Sequence, residues 1–166
     1  MSSAEYKLSE SNAKELLERH RITKPFVDVF YIANKEGLEI KFVSMPSSYK
    51  NVAGFFDPET KTIVVNGDDP TNRQTFTVAH ELGHYMLGHE PSEYSVLLRL
   101  PVPSDKKQQI EKEADVFAAN LLVPKEMLKK IMREYDLKGE HIDILSRIFG
   151  VSREMMSYRL KWLRLE

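Results

Sequence analysis

A short segment of the chain, residues 75–90, contains the residue types with the clearest potential for chemistry. It holds His80, Glu81 and His84 in the spacing H-E-x-x-H. In an α-helix, positions i and i+4 project from one face a turn apart, so both imidazoles can reach one metal ion. Glu81 lies about 100° further around, close enough to contact a metal-bound water without binding the ion itself. The spacing predicts a metal-dependent hydrolase, although helices with two ordinary histidines also produce it by chance.

A catalytic metal ion of this kind needs a third protein ligand, and the chain has no cysteine to supply one. The downstream helix offers the acids Glu111, Glu113 and Asp115. Glu111 and Asp115 flank the apolar stripe of that helix on one side, whereas Glu113 points about 160° away from Asp115 and is interpreted as solvent-facing. The spacing therefore suits Glu111 as the third ligand and Asp115 as the acceptor of a ligand imidazole's free N–H.

The remaining histidines lack ligand spacing. His89 follows His80 by nine positions, about 180° around a continuous helix. It also lacks the spacing that supplies a third histidine in related motifs. We interpret His89 as a surface or end-capping residue, and His20 and His141 as structural or exposed.

The hydrophobic pattern predicts an α+β fold in which a small antiparallel sheet of about three strands precedes a mainly helical region. A first helix is expected to end near His20, and a second to run from about Pro25 to Gly37. The predicted strands are 38–43, 52–56 and 61–66, and the later helices lie near 71–89, 105–122, 124–135, 141–148 and 152–163. Gly83 is expected to let the helix with the acids approach closely.

Two regions are expected, residues 1–135 with the metal site and residues 136–166 as a helical tail packed on the same unit. The tail has the outline of a helix-turn-helix, with Gly150 at the turn and Ser152 as an N-cap. Its basic residues, Arg147, Arg153, Arg159, Lys161 and Arg164, leave direct DNA binding open. Its many apolar residues favour a structural or substrate-docking role.

The composition is that of an ordinary soluble domain, with 42% hydrophobic and 30% charged residues. The net charge of −1 argues against strong nonspecific binding of nucleic acid. The polar start of the chain has no secretory signal pattern, and the absence of cysteine suits a reducing compartment. We therefore expect a cytoplasmic protein without a membrane segment.

Three segments together, "FTVAHELGHYMLGH", "IEKEADVFAANLLVP" and "FGVSREMMSYRLKWL", resemble the ImmA/IrrE family of zinc-dependent metallopeptidases. The similarity spans roughly residues 25–163. It implies a gluzincin-like site with His80, His84 and Glu111 as ligands of one catalytic zinc ion and Glu81 as the general base. It also places Asp115 at the supporting position beside a ligand histidine. Manganese or iron also fits two histidines and a carboxylate.

The resemblance implies a metalloendopeptidase of a bacterium or phage that cleaves a helix-turn-helix repressor and so derepresses phage, mobile-element or stress-response genes. The alternative is a DNA-binding or repressor-binding regulatory module with a structural zinc. For the peptidase, a strand edge at "VAGFF" or "TIVVN" could align an extended substrate. The candidates for the oxyanion-stabilising donor are Tyr94, Arg99, Tyr158 and Arg159.

Overall fold

The computed structural model describes residues 6–94 and 104–166 of the chain and confirms the α+β class. The strands are β1 (Glu39–Val43), β2 (Gly54–Asp57) and β3 (Thr62–Asn66). The helices are α1 (Lys7–Arg19), α2 (Val29–Lys35), α3 (Thr71–Leu87), α4 (Pro91–Tyr94), α5 (Ser104–Leu122), α6 (Lys125–Glu134), α7 (Ile142–Phe149) and α8 (Arg153–Leu163). Short 3-10 turns occupy Ser47–Tyr49 and Gly139–His141. No helix within the described ranges is long and apolar enough to cross a membrane.

The sheet is mixed rather than wholly antiparallel, and its strand order is β1-β3-β2. The expected antiparallel hairpin is present, because β2 pairs with β3 in that sense. β1, however, runs parallel to β3, with Ile40 opposite Ile63. Which strands pair depends on contacts between residues distant in the sequence, and the alternation of residues within one strand does not determine it. The apolar run of β3 fits its central position, where Ile63 and Val65 are fully buried.

The second helix begins later than the sequence suggested. α2 starts at Val29, and the side chain of Asp28 accepts a hydrogen bond from the backbone N–H of Tyr31 at 3.0 Å. This is an N-cap, which satisfies a donor that the first helical turn leaves unpaired. The prediction of a start near Pro25 is therefore wrong, while Gly37, at φ +87°, follows the helix end as expected.

α3 and α5 pack at unusually short range around Gly83. A Cβ atom at this position would lie 2.9 Å from Cδ1 of Phe117 and 3.3 Å from the backbone oxygen of Ala114. Real Cβ atoms essentially never show a contact as short as the first of these, and the second is tighter than most, so any larger residue would force the Phe117 ring or the helices to shift. The close approach expected at Gly83 is confirmed, and it brings the H-E-x-x-H turn against the helix that carries the acids.

The tail has the helix, Gly150, Ser152, helix outline that its sequence indicates. Gly150 has a φ of +67°, and the Ser152 hydroxyl accepts a hydrogen bond from the Met155 N–H at 3.0 Å. Both tail helices supply members of the main hydrophobic core, Leu145, Phe149, Met156 and Leu160. The division of the chain at residues 135 and 136 stays a prediction.

Candidate metal centre

Three side chains from two helices converge on one point in the molecule. The Nε2 atoms of His80 and His84 lie 3.0 Å apart. Glu111 places Oε2 at 3.2 Å from Nε2 of His80 and Oε1 at 3.6 Å from Nε2 of His84. Ligand atoms about 2.0–2.1 Å from a tetrahedral zinc ion lie about 3.3 Å from one another. The donor types and their spacing therefore fit a zinc-like ion, and this group could hold a metal.

Glu81 lines a cleft together with His80 and Glu111, and it does not belong to the converging group. It is buried, and its Oε2 atom has no hydrogen-bond partner among the described residues. Burial raises the pKa of Glu81 to about 7, although the charge of the nearby His80 lowers it. Buried carboxylate oxygens are normally hydrogen-bonded, so an unpaired one beside three metal-capable donors suits a group that receives a proton from water.

His80 is supported from behind by a single acid. Its Nδ1 atom lies 2.9 Å from Oδ1 of Asp115, while its Nε2 faces Glu111 and His84. Burial disfavours the charged imidazole, but the hydrogen bonds to Asp115 and Glu111 outweigh it and raise the pKa of His80 to about 10. The Asp115 side chain is 56% exposed, so this support lies at the rim of the site.

His84 is supported by two residues that the sequence interpretation assigned to the surface. Nδ1 of His84 lies 2.9 Å from Nδ1 of His89, and Nε2 of His89 lies 2.9 Å from Oε2 of Glu113. The His89 side chain is only 10% exposed. The prediction that His89 is a surface residue is therefore wrong, although its backbone N–H does cap the end of α3. The prediction that Glu113 only faces solvent is also wrong. Burial, followed by the proximity of His80 and His89, lowers the pKa of His84 to about 2.

The error over His89 has a local cause. α3 ends at Leu87 and Gly88 adopts the left-handed conformation, with a φ of +71°. The chain then turns back, and the His89 N–H bonds to the His84 backbone oxygen at 3.0 Å. A helical projection of about 180° from His80 does not apply past that turn. The glycine directly before His89 was the signal that could have revealed this helix end.

The site opens into a cleft of about 460 Å³. Its lining includes the chain at and before β2, two of the three metal-capable side chains and two further charged residues: Val52, Gly54, Phe55, His80, Glu111, Glu81 and Lys107. A larger groove of about 630 Å³ adjoins it and shares Phe76 and Asp115 with it. The groove runs between α3, α5 and α8, where Met155, Tyr158 and Trp162 line it.

The candidates for the oxyanion-stabilising donor have different positions. Arg99 and the side chain of Tyr94 lie outside the described residues. Tyr158 is exposed on the groove next to the cleft. Arg159 is buried and donates to the Val123 backbone oxygen at 2.9 Å and to Oδ1 of Asn120 at 2.8 Å. These contacts make Arg159 part of the packing between the tail and α5.

Comparison with known proteins assigns the chain to one family. Residues 34–161 match the peptidase family M78, the IrrE N-terminal-like domain. The match covers most of the chain, and the protein belongs to this family.

Individual relatives agree with that assignment. The chain is 30% identical over 129 residues to the radiation response metalloprotease IrrE of Deinococcus radiodurans, covering 78% of this chain and 38% of that protein. It is 27% identical over 104 residues to the metallopeptidase ImmA of Bacillus subtilis, covering 63% and 59%. Among solved structures, a Mycobacterium tuberculosis transcriptional regulator has the same fold, with a TM-score of 0.64, 16% identity and coverage of 92% of this chain and 46% of that one. The chain thus spans less than two thirds of each of these proteins.

Proposed function

We propose that the protein is a zinc-dependent endopeptidase in which His80, His84 and Glu111 hold the ion and Glu81 is the general base. The observation that carries this proposal is the unpaired, buried Oε2 atom of Glu81 in the cleft that His80 and Glu111 also line. When bound, zinc supplies Lewis acidity and makes water a nucleophile near neutral pH. Glu81 then accepts the proton of the attacking water and returns it to the leaving amine.

The edge of the sheet supports a polypeptide as the substrate. β2 is an edge strand, and residues 51–55, which lead into it and include its first two residues, line the cleft. The Asn66 N–H donates to the Ala53 oxygen, so by antiparallel alternation the main-chain groups of Gly54 point away from β3. An extended substrate can add to this edge beside the donors. Of the two segments suggested by the sequence, "VAGFF" has this position, while "TIVVN" is the central strand and has no free edge.

The adjoining groove gives the tail a part in substrate binding. Phe76 and Asp115 lie in both cavities, so a chain bound along β2 can continue from the cleft into the groove. The aromatic side chains of Tyr158 and Trp162 are partly exposed there. We assign to this groove an apolar side chain of the substrate close to the scissile bond.

The physiological substrate that we propose is a cytoplasmic helix-turn-helix repressor, cut to derepress genes. The support for it is the similarity to the ImmA/IrrE metallopeptidases. The alternative, a DNA-binding module with a structural zinc, is less well supported. A structural site closes with four protein ligands, and the metal-capable group among the described residues has three. In the basic tail, Arg159 is buried and Arg153 is paired with Asp143 at 2.8 Å.

The test compares wild type with Glu81→Gln, both loaded with one equivalent of zinc. Each is incubated with a peptide library and with candidate repressors, and mass spectrometry locates the cuts. We expect the variant to keep its zinc and to lose cleavage by about 10²–10⁴-fold, the usual contribution of a general base. Glu59→Gln, an exposed acid of the β2–β3 turn, serves as the matched control. Unchanged cleavage by Glu81→Gln would refute the assignment of the base.

A further inference from the structure

We propose that His89 and Glu113 are positioning residues that fix the tautomer and orientation of His84, so that its Nε2 lone pair faces the metal. This inference depends on the proposed metal site, but it does not require the protein to cleave any particular substrate. It concerns the two residues that the sequence alone assigned to the surface.

The direction of the hydrogen bonds follows from the acid at the end of the chain of contacts. An ionised carboxylate only accepts hydrogen bonds, so Glu113 requires that Nε2 of His89 carries a proton. In a neutral His89 ring, Nδ1 is then an acceptor, and it faces Nδ1 of His84 at 2.9 Å. His84 must therefore donate from Nδ1, which leaves Nε2 without a proton. Nε2 is the atom that points at His80 and Glu111.

Both positioning residues are themselves held in place. The left-handed turn at Gly88 and the hydrogen bond from the His89 N–H to the His84 backbone oxygen fix the backbone position from which the His89 side chain extends. At the other end, Nε2 of Gln109 donates to Oε1 of Glu113 at 2.9 Å. Glu113 thus uses one oxygen for Gln109 and the other for His89. Because the backbone of His89 and the carboxylate of Glu113 are both held, the fold determines the orientation of the His89 ring between them.

Burial gives this arrangement its effect. The His84 side chain is fully buried, so bulk water does not reach its ring in the folded protein, and its Nδ1 atom faces another protein group instead. Acids and imidazoles behind a metal ligand typically change metal affinity by about 10–100-fold. We expect His89 to fall at the upper end of this range.

The experiment measures the zinc dissociation constant of the apo-protein by competition with a chromophoric chelator. His89→Ala should weaken zinc binding by about 10–100-fold. His89→Asn should recover most of that loss, because its side-chain oxygen can accept from Nδ1 of His84. Glu113→Gln should weaken binding less, and the double variant His89→Ala/Glu113→Gln should be no weaker than His89→Ala alone, since both act through one ring. Glu90→Gln, an exposed acid next to His89, is the control.

Cobalt in place of zinc gives a second reading of the same site. Its visible d–d absorption reports ligand geometry, so His89→Ala should alter the band while Glu90→Gln leaves it unchanged. Glu113→Gln, which keeps the side-chain volume, replaces the alanine variant if that one does not fold. Wild-type zinc affinity in His89→Ala, or strictly additive losses in the double variant, would overturn the proposal. Wild-type protein that binds no zinc would instead refute the proposed function itself.

Discussion

His80 and His84 point at the same place but are supported from behind in opposite ways. On the side away from Glu111, Nδ1 of His80 contacts one acid, Asp115, which is mostly exposed and lies one turn after Glu111 on the same helix. His84 contacts a second ring, which in turn contacts an acid on the other flank of α5. Water already reaches Asp115 behind His80, whereas the His89 side chain behind His84 is largely buried. Two histidines with the same proposed role therefore differ in how far they depend on the surrounding fold.

The largest expected effect comes from removing the donor that both imidazoles share. Glu111→Ala leaves only the two histidines at the site, and we expect the variant to keep less than one equivalent of zinc after dialysis. Elemental analysis by mass spectrometry measures the metal content per chain. Glu126→Ala, an exposed acid of α6, should retain one equivalent. If Glu111→Ala also retained a full equivalent, the carboxylate would not be the third ligand.

Removal of the metal should lower the stability of the wild-type protein. Free zinc at about 100–1,000 times its dissociation constant stabilises the folded state by about 2.7–4.1 kcal/mol. For a chain of this size, about 2–4 °C in melting temperature corresponds to 1 kcal/mol. Calorimetry with and without chelator should therefore show a difference of about 5–16 °C. The difference should shrink more in His89→Ala than in Asp115→Ala, and equal shrinkage would contradict the contrast between the two supports.

Gly83→Ala should disturb both supports together, because it forces α3 away from α5. The added methyl group would meet the Phe117 ring and the Ala114 oxygen. Overpacking of this kind costs about 1–3 kcal/mol, measured by urea denaturation of the apo-protein. Gly67→Ala is the control, since its nearest neighbour would be 3.5 Å away. Equal stability of the two variants would show that the helices can separate freely.

The smallest effect is expected at the exposed support. Asp115→Ala should weaken zinc binding by about tenfold, the lower end of the range for such partners, because water can reach Nδ1 of His80. The same chelator competition measures it beside His89→Ala. A loss at Asp115 as large as that at His89 would mean that exposure does not distinguish the two supports.

The sequence predicted the α+β class, most helix bounds and the grouping of His80, His84 and Glu111, because helical spacing determines which residues share a face. It could not predict that β1 runs parallel to β3, since pairing depends on contacts distant in the chain. The contacts of His89 were missed because the predicted α3 was two residues too long, 71–89 instead of 71–87. Glu113 was assigned to solvent because it points about 160° away from Asp115, and the position of His89 on that other side of α5 was not foreseen.

Arg159 joins the tail to the helix that carries Glu111. Its guanidinium donates to the Val123 oxygen, just after the end of α5 and directly before Pro124, and to the side chain of Asn120 within α5. A chain shortened at residue 135 would lose this donor together with the tail's members of the hydrophobic core, Leu145, Phe149, Met156 and Leu160, and would expose the apolar surface that they cover. The loss of the donor would fall on the C-terminal end of α5. Shortening the tail should therefore loosen the scaffold of the metal site, so the smallest fragment that folds and binds zinc must extend past Arg159.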